Sequence, residues 1–193
     1  LPLLVRTDTR KLLRASEAIA NYTLKPWQGY SVQVQKIAPE NREKWGDFVM
    51  WDPKRNGPVG ISREQVGKHF TELGVDPALE GAWNVKLVNG KVVEVKTVFQ
   101  VYRELCTEYD PQTVAEITQT PVELIERLAK DLATIKPAML HTGEGVNHYF
   151  HCDLTTRAVF LPMALTGNIG KSGGNVGHWA GNYKTCVFDG VHV

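Results

Sequence analysis

The sequence has 193 residues, 42% apolar and 22% charged, and its 22 Lys and Arg against 21 Asp and Glu leave a formal charge of +1. That composition belongs to a globular chain with a sizeable core, excludes disorder, and gives bulk electrostatics no hold on nucleic acid or an acidic membrane. The longest apolar run, Ala158 to Leu165, is eight residues with Pro162 inside it, whereas a membrane-spanning helix needs about 20.

Leu3 to Arg6 reads as a short buried strand, and Arg10 to Ala20 as a helix with Leu12, Leu13, Ala15 and Ile19 on one side. Residues 1–20 are taken as the start of an α/β region, and residues 21–109 as an irregular insertion. Within it, residues 21 to 82 mix Pro, Gly, Trp and charge without a sustained period, and Trp27, Trp45 and Trp51 read as aromatic plugs pinning a long loop. Trp83 to Val88 and Lys91 to Val95 flank Asn89-Gly90, which predicts a β-hairpin over 83–95 closed by a two-residue type I′ turn. Val98 to Leu105 fits a helix or a strand.

Residues 110–193 are better punctuated. Asp110 can cap a helix that starts at Pro111 and turns Val114 and Ile117 inward. Thr120 can cap a second, with Pro121 first and Glu123 closing a capping box. Val122, Ile125, Leu128, Ala129 and Leu132 then share one face. A strand over Ala138 to His141, a glycine turn at Thr142 to Gly145 and a helix over Asp153 to Leu165 complete the helix–strand–loop–helix order of a parallel α/β sheet. The fold class expected is thus α/β: a partial parallel sheet with flanking helices, plus the hairpin-containing insertion.

Chemistry concentrates late in the chain. Residues 139–193 carry nine of the 17 glycines and five of the six histidines, with three basic and three acidic residues. That suits the interior of a larger body. The chain opens on Leu1 with neither a basic leader nor a cleavage signature, and it reads as a piece of a longer protein. Cys106, Cys152 and Cys186 form no CxxC pair and read as buried free thiols.

Gly143-Glu144-Gly145-Val146-Asn147-His148 follows the expected strand, at the edge where open α/β sheets bind ligands. It is not a dinucleotide fingerprint, because the third glycine position is His148. Gly167 to Gly181 holds six glycines in 15 residues. Its Gly170-Lys171-Ser172 is not a phosphate-binding P-loop, because the glycine required five positions earlier is Leu165. His148, His151, Cys152 and Asp153 could be a metal cluster only if His141 and His178 came near to give the second ligand pair that zinc requires, and a hydrogen-bonding role in the Gly loop is preferred for His148.

Together, "HTGEGVNHYFHCDLTTRAVFLPMALTGNIGKSGGNVGHWAGNYK" (141–184) resembles the molybdopterin oxidoreductase superfamily that includes dimethyl sulfoxide reductase. The pairing of "GVNHYFH" with "GHWAGNYK", and the opening "LPLLVRTDTRKLLRA", resemble its membrane-bound nitrate reductase and nitrite oxidoreductase branch. Selenate, chlorate and perchlorate reductases, dimethyl sulfide dehydrogenase and ethylbenzene dehydrogenase share that branch. The resemblance implies an internal fragment of a catalytic alpha subunit, inactive alone, whose full-length form transfers oxygen between nitrite and nitrate with two-electron exchange. It implies a molybdenum bis(molybdopterin guanine dinucleotide) and, outside this chain, a 4Fe-4S cluster. Expected partners are an iron–sulfur beta subunit and a membrane or haem gamma subunit, which would attach the enzyme to one face of a membrane. By matching position, Gly143, Gly145, Asn147 and His148 would line the dinucleotide from one loop. Gly167, Asn168, Gly170, Lys171, Gly173, Gly174 and His178 would line it from the other. No metal ligand is expected in the chain. The reading from another class is a noncatalytic α/β module that binds a nucleotide through its two glycine loops.

Overall fold

Leu4 and Leu13 have no exposed surface, and the backbone between them folds back to bury them together. β1 (Leu4–Arg6) ends in a turn closed by Arg10 at φ +56°. Arg6 N donates to Lys11 O at 2.9 Å, and Leu13 N to Leu4 O at 2.8 Å. The helix expected from Arg10 is therefore reduced to one turn, α1 (Ala15–Ala18). Residues 12–14 are extended instead, with bridges from Leu12 to Val5 and from Arg14 to Phe48. Leu13 and Ala15, two positions apart, are both fully buried, which is strand spacing.

The computed structural model describes residues 1–25, 39–62 and 72–178, in two units, Leu1–Tyr109 and Asp110–Val193. Trp27, Trp179, Asn182 and Cys186 lie outside the described residues.

In the first unit, residues 39–61 of the stretch expected to be irregular form regular elements. After α2 (Pro39–Trp45) come β2 (Phe48–Asp52) and β3 (Gly57–Ile61), paired antiparallel from Phe48 opposite Ile61 to Asp52 opposite Gly57. All five residues of β2 are buried because each face meets its own cluster. Val49 and Trp51 join Leu4, Leu13, Val85, Val93 and Val95, while Phe48 and Met50 pack with Ile61. A run buried on both faces has no alternation, so periodicity missed it. Trp51 is a buried plug as expected, stacked on Trp83 with centroids 4.8 Å apart.

β4 (Ala82–Lys86) and β5 (Val92–Thr97) form the expected hairpin, and β1 adds to the other side of β5, giving the order β1-β5-β4. The turn differs from the expectation. Leu87 N donates to Lys91 O, and Gly90 N to Leu87 O, so the loop has three residues and only Gly90 is left-handed, at φ +87°. Asn89 Oδ1 accepts from Lys91 N at 3.0 Å instead. The ambiguous stretch is helical: α3 (Val98–Cys106) is capped by Thr97, whose hydroxyl accepts from Gln100 N.

In the second unit, α4 (Pro111–Thr118) is capped by Asp110, which accepts from Thr113 N at 2.8 Å. Ile117 is 66% exposed rather than inward. α5 (Val122–Thr134) begins one residue later than expected, with Pro121 at the cap and no side-chain capping bond. Its stripe is half-buried at Val122, Ile125 and Leu132 and exposed at Leu128. β6 (Met139–Thr142), the short α6 (Glu144–Asn147), α7 (Cys152–Leu165) and β7 (Asn175–His178) follow. β6 and β7 pair in parallel with α7 between them, as a parallel α/β sheet requires, although β7 lies in the stretch expected to be a glycine loop. Cys106 is exposed and Cys152 partly so, contrary to the buried thiols expected.

Candidate functional site

Met139 pairs with Asn175 and Thr142 with His178. Parallel pairing gathers the carboxyl ends of both strands at one edge. Gly143, Gly145, Asn147 and His148 leave β6 at that edge, and His178 reaches it on β7. Gly167, Asn168, Gly170, Lys171, Gly173 and Gly174 all precede β7, so they lie at the amino edge. Four residues of strand separate the edges by about 13 Å. The residues expected to line one site from two loops thus divide between opposite ends of the strand pair.

At the amino edge, the chain itself accounts for the residue types. Gly167, Gly170 and Gly173 have φ of +70°, +74° and +76°, a region in which side chains are strained. Gly174 is buried, and a Cβ there would stand 2.5 Å from Asn168 O. Asn168 is 1% exposed, and its amide is spent on neighbouring backbone and hydroxyl groups. Lys171 is exposed, and its carbonyl accepts from Gly174 N.

The carboxyl edge is different. Gly143 and Gly145 are outside the left-handed region, and a Cβ on either would meet nothing within 4 Å among the described residues. Neither backbone conformation nor packing among the described residues explains them. Beyond them His148 is exposed, Tyr149 is 70% exposed and Phe150 89% exposed. The Phe150 ring leans on His151, with centroids 4.1 Å apart. Thr142 is buried beneath this edge, and its hydroxyl donates to Gly177 O. Gly177 has a packing reason of its own, because a Cβ would strike the Met139 and His141 side chains. Sequence reasoning did not single out Tyr149 and Phe150. Their signal is two aromatics flanked by histidines in a glycine-rich stretch. Among the described residues no three His, Cys, Asp or Glu side chains gather as a metal group.

The first unit has its own polar centre. Asp47 is 1% exposed and accepts from Tyr22 Oη at 2.8 Å, from Lys25 N at 2.9 Å and from Arg42 Nη2. Burial, and then the bond to Asp47, push the Tyr22 hydroxyl well above the usual tyrosine range. A cavity of about 590 Å³ lies between Arg6, Lys11, Leu12, Arg14 and Phe48. Arg6 there is held by Asp8 and Glu17, and Arg14 sits 5.0 Å over the Phe48 ring.

No family model matches the chain. It is 33% identical to the perchlorate reductase subunit alpha of Dechloromonas aromatica over 99% of its length and 21% of the relative's. It is 34% identical to the respiratory nitrate reductase subunit alpha of Haloferax mediterranei over 98% of its length and 18% of the relative's. The dimethylsulfide dehydrogenase subunit alpha of Rhodovulum sulfidophilum is 32% identical over 93% of this chain and 17% of its own. The chain therefore spans about a fifth of the length of the curated relatives it matches.

Proposed function

We infer the function from the family: the chain belongs to the molybdopterin oxidoreductase superfamily that includes dimethyl sulfoxide reductase, within its nitrate reductase branch. From that premise we propose that it is a cofactor-lining segment of the catalytic alpha subunit of a nitrate reductase or nitrite oxidoreductase. The group it would hold is a molybdenum bis(molybdopterin guanine dinucleotide), which when bound supplies oxygen-atom transfer between nitrite and nitrate with two-electron exchange. The part left to this chain is to hold and orient that group. Gly143, Gly145, Asn147 and His148, with His178 alongside, offer a glycine-lined edge that a pyrophosphate or a planar ring can approach closely. Gly167, Asn168, Gly170, Lys171, Gly173 and Gly174 support that edge from the far end of the strands.

One observation carries the reading. Among the described residues, nothing stands where a side chain on Gly143 or Gly145 would be, and neither has a conformational need for glycine, which suits a backbone kept bare for a ligand. The 4Fe-4S cluster, the iron–sulfur beta subunit and the membrane or haem gamma subunit complete the proposal. Among the described residues no helix is long and apolar enough to cross a membrane, and the proposal puts membrane attachment on those partners. Identity of 33% to the perchlorate enzyme beside 34% to the nitrate enzyme makes perchlorate reduction the second reading.

The test uses the full-length enzyme with its partner subunits. Molybdenum and guanine nucleotide are measured per polypeptide, and viologen- or acceptor-linked turnover is compared across nitrate, nitrite, perchlorate, selenate, chlorate and dimethyl sulfide. Loaded enzyme that turns over nitrate or nitrite fastest is the expected result. Loaded enzyme restricted to perchlorate moves the assignment to the second reading. Protein with neither molybdenum nor guanine nucleotide refutes both.

A further inference from the structure

Asn168 lies in the stretch Gly167 to Gly174, which by its motif belongs with the cofactor, yet its side chain faces wholly into the fold. Its Oδ1 accepts from Ala138 N at 3.0 Å. Its Nδ2 donates to Thr166 Oγ1 at 2.9 Å and to Leu132 O at 3.4 Å. Its backbone N donates to Met163 O at 2.9 Å. Both amide protons are used, and the side chain is fully buried. Four segments meet on this residue: the end of α5 at Leu132, the approach to β6 at Ala138, the end of α7 at Met163 and Thr166, and the approach to β7 at Gly174. Lys136 reinforces the junction, its Nζ donating to Leu132 O at 2.8 Å and to Thr166 O at 2.5 Å.

The junction sits one residue before the first rung of the ladder, since Ala138 and Gly174 precede the paired Met139 and Asn175. A four-rung parallel pair has little register specificity of its own, and a slip of one residue would turn every side chain to the opposite face. We propose that Asn168 is a positioning residue, a buried clasp that fixes β6 against β7 at the amino edge. It thereby sets Thr142 beside His178 and aims the Gly143–His148 turn at its ligand. Its effect on the ligand rests on the function proposed above; its effect on register does not. Asparagine is the residue the geometry requires. Aspartate keeps the acceptor for Ala138 N but loses both donors, and serine is too short to span from Ala138 to Leu132.

The experiment compares unmodified full-length enzyme with Asn168→Asp, Thr166→Val and Ser172→Ala, the last an exposed position of the same loop. The readouts are amide hydrogen exchange along residues 132–178, melting temperature, and guanine nucleotide and molybdenum per folded polypeptide. Asn168→Asp is expected to speed exchange at Leu140 to Thr142 and through the Gly143–His148 turn by on the order of tenfold. Folded Asn168→Asp protein should also carry several-fold less guanine nucleotide. Thr166→Val should shift both the same way by less, and Ser172→Ala neither. If exchange changes only at 132–138 and 166–174 while nucleotide content stays at the unmodified level, the clasp is local and the proposal is overturned. If Asn168→Asp does not accumulate folded, Thr166→Val decides by the same two readouts. An unmodified enzyme without the nucleotide sinks the functional reading alone, because the exchange measurement still decides the clasp.

Discussion

At Gly60 a Cβ would strike the Tyr22 ring, at Gly174 it would meet the Asn168 carbonyl, and at Gly145 it would meet nothing. These three bare positions call for different outcomes. Gly60→Ala forces the Tyr22 ring off Asp47 and should cost the first unit about 1–3 kcal/mol, read as a lower melting temperature of the full-length enzyme. Gly145→Ala lies in a helical turn with open space, so stability should hold or rise, by up to about 1 kcal/mol. Its molybdenum and nucleotide content should nonetheless fall. A Gly145→Ala enzyme with full cofactor would show that the bare backbone there serves no ligand. Tyr22 adds a pH signature. Its hydroxyl is held above the ordinary range by burial first and by Asp47 second, so the folded state resists ionisation that the unfolded state accepts. The stability this provides is complete below about pH 10 and is lost as pH rises further, toward the raised folded value. Melting of unmodified and Tyr22→Phe enzyme across pH 8 to 12 should show a steeper alkaline decline in the unmodified protein, and parallel curves would contradict the linkage.

Among the elements, helix and hairpin ends are set by single polar groups. Asp110 satisfies Thr113 N at the start of α4, and Asp110→Ala should cost about 1 kcal/mol in a denaturant titration. Thr120 looks equivalent in sequence but stands one residue too early. Pro121 O already accepts from Leu124 N at 3.0 Å and from Ile125 N, so Thr120→Ala should leave stability nearly unchanged. At the β4–β5 turn, Gly90 alone takes the left-handed conformation, and Gly90→Ala should cost on the order of 1 kcal/mol. Asn89→Ala removes only the bond to Lys91 N and should cost less. The reverse order would restore the two-residue turn that the Asn-Gly pair suggests.

At the scale of the whole chain, large apolar side chains stand in water across the second unit: Phe150 at 89%, Tyr149 at 70%, Ile117 at 66% and Leu128 at 56%. Exposed apolar side chains on this scale suit a surface that another body covers, and the chain spans about a fifth of its relatives' length. Phe160 in α7 and Ile169 beyond it are each 43% exposed, whereas Met163 is fully buried. Residues 1–193 expressed alone should bind a hydrophobic dye or aggregate. A soluble monomer that melts sharply without binding dye would mean that the apolar surface needs no cover.

Local chemistry was readable where one residue type has one use. Asn89-Gly90 marked the hairpin, Asp110-Pro111 marked α4, and the apolar and glycine segments after Pro137 marked β6 and α7, though not β7. Family membership was legible for the same reason, since the motifs around His148 and Gly170 lie in contiguous sequence. Pairing partners were not. Residues 12–14 fall in a segment with helical spacing, but backbone bridges to β1 and Phe48 hold them extended. The five residues of β2 show no period because two different clusters cover their two faces. The candidate site divided for the same kind of reason. Gly143 and Gly174 look alike along the chain, and only the parallel register of β6 and β7 puts one at the carboxyl edge in open space and the other at the amino edge against Asn168. Which strand end a loop leaves is set by long-range backbone hydrogen bonds, and those are made only when the chain folds.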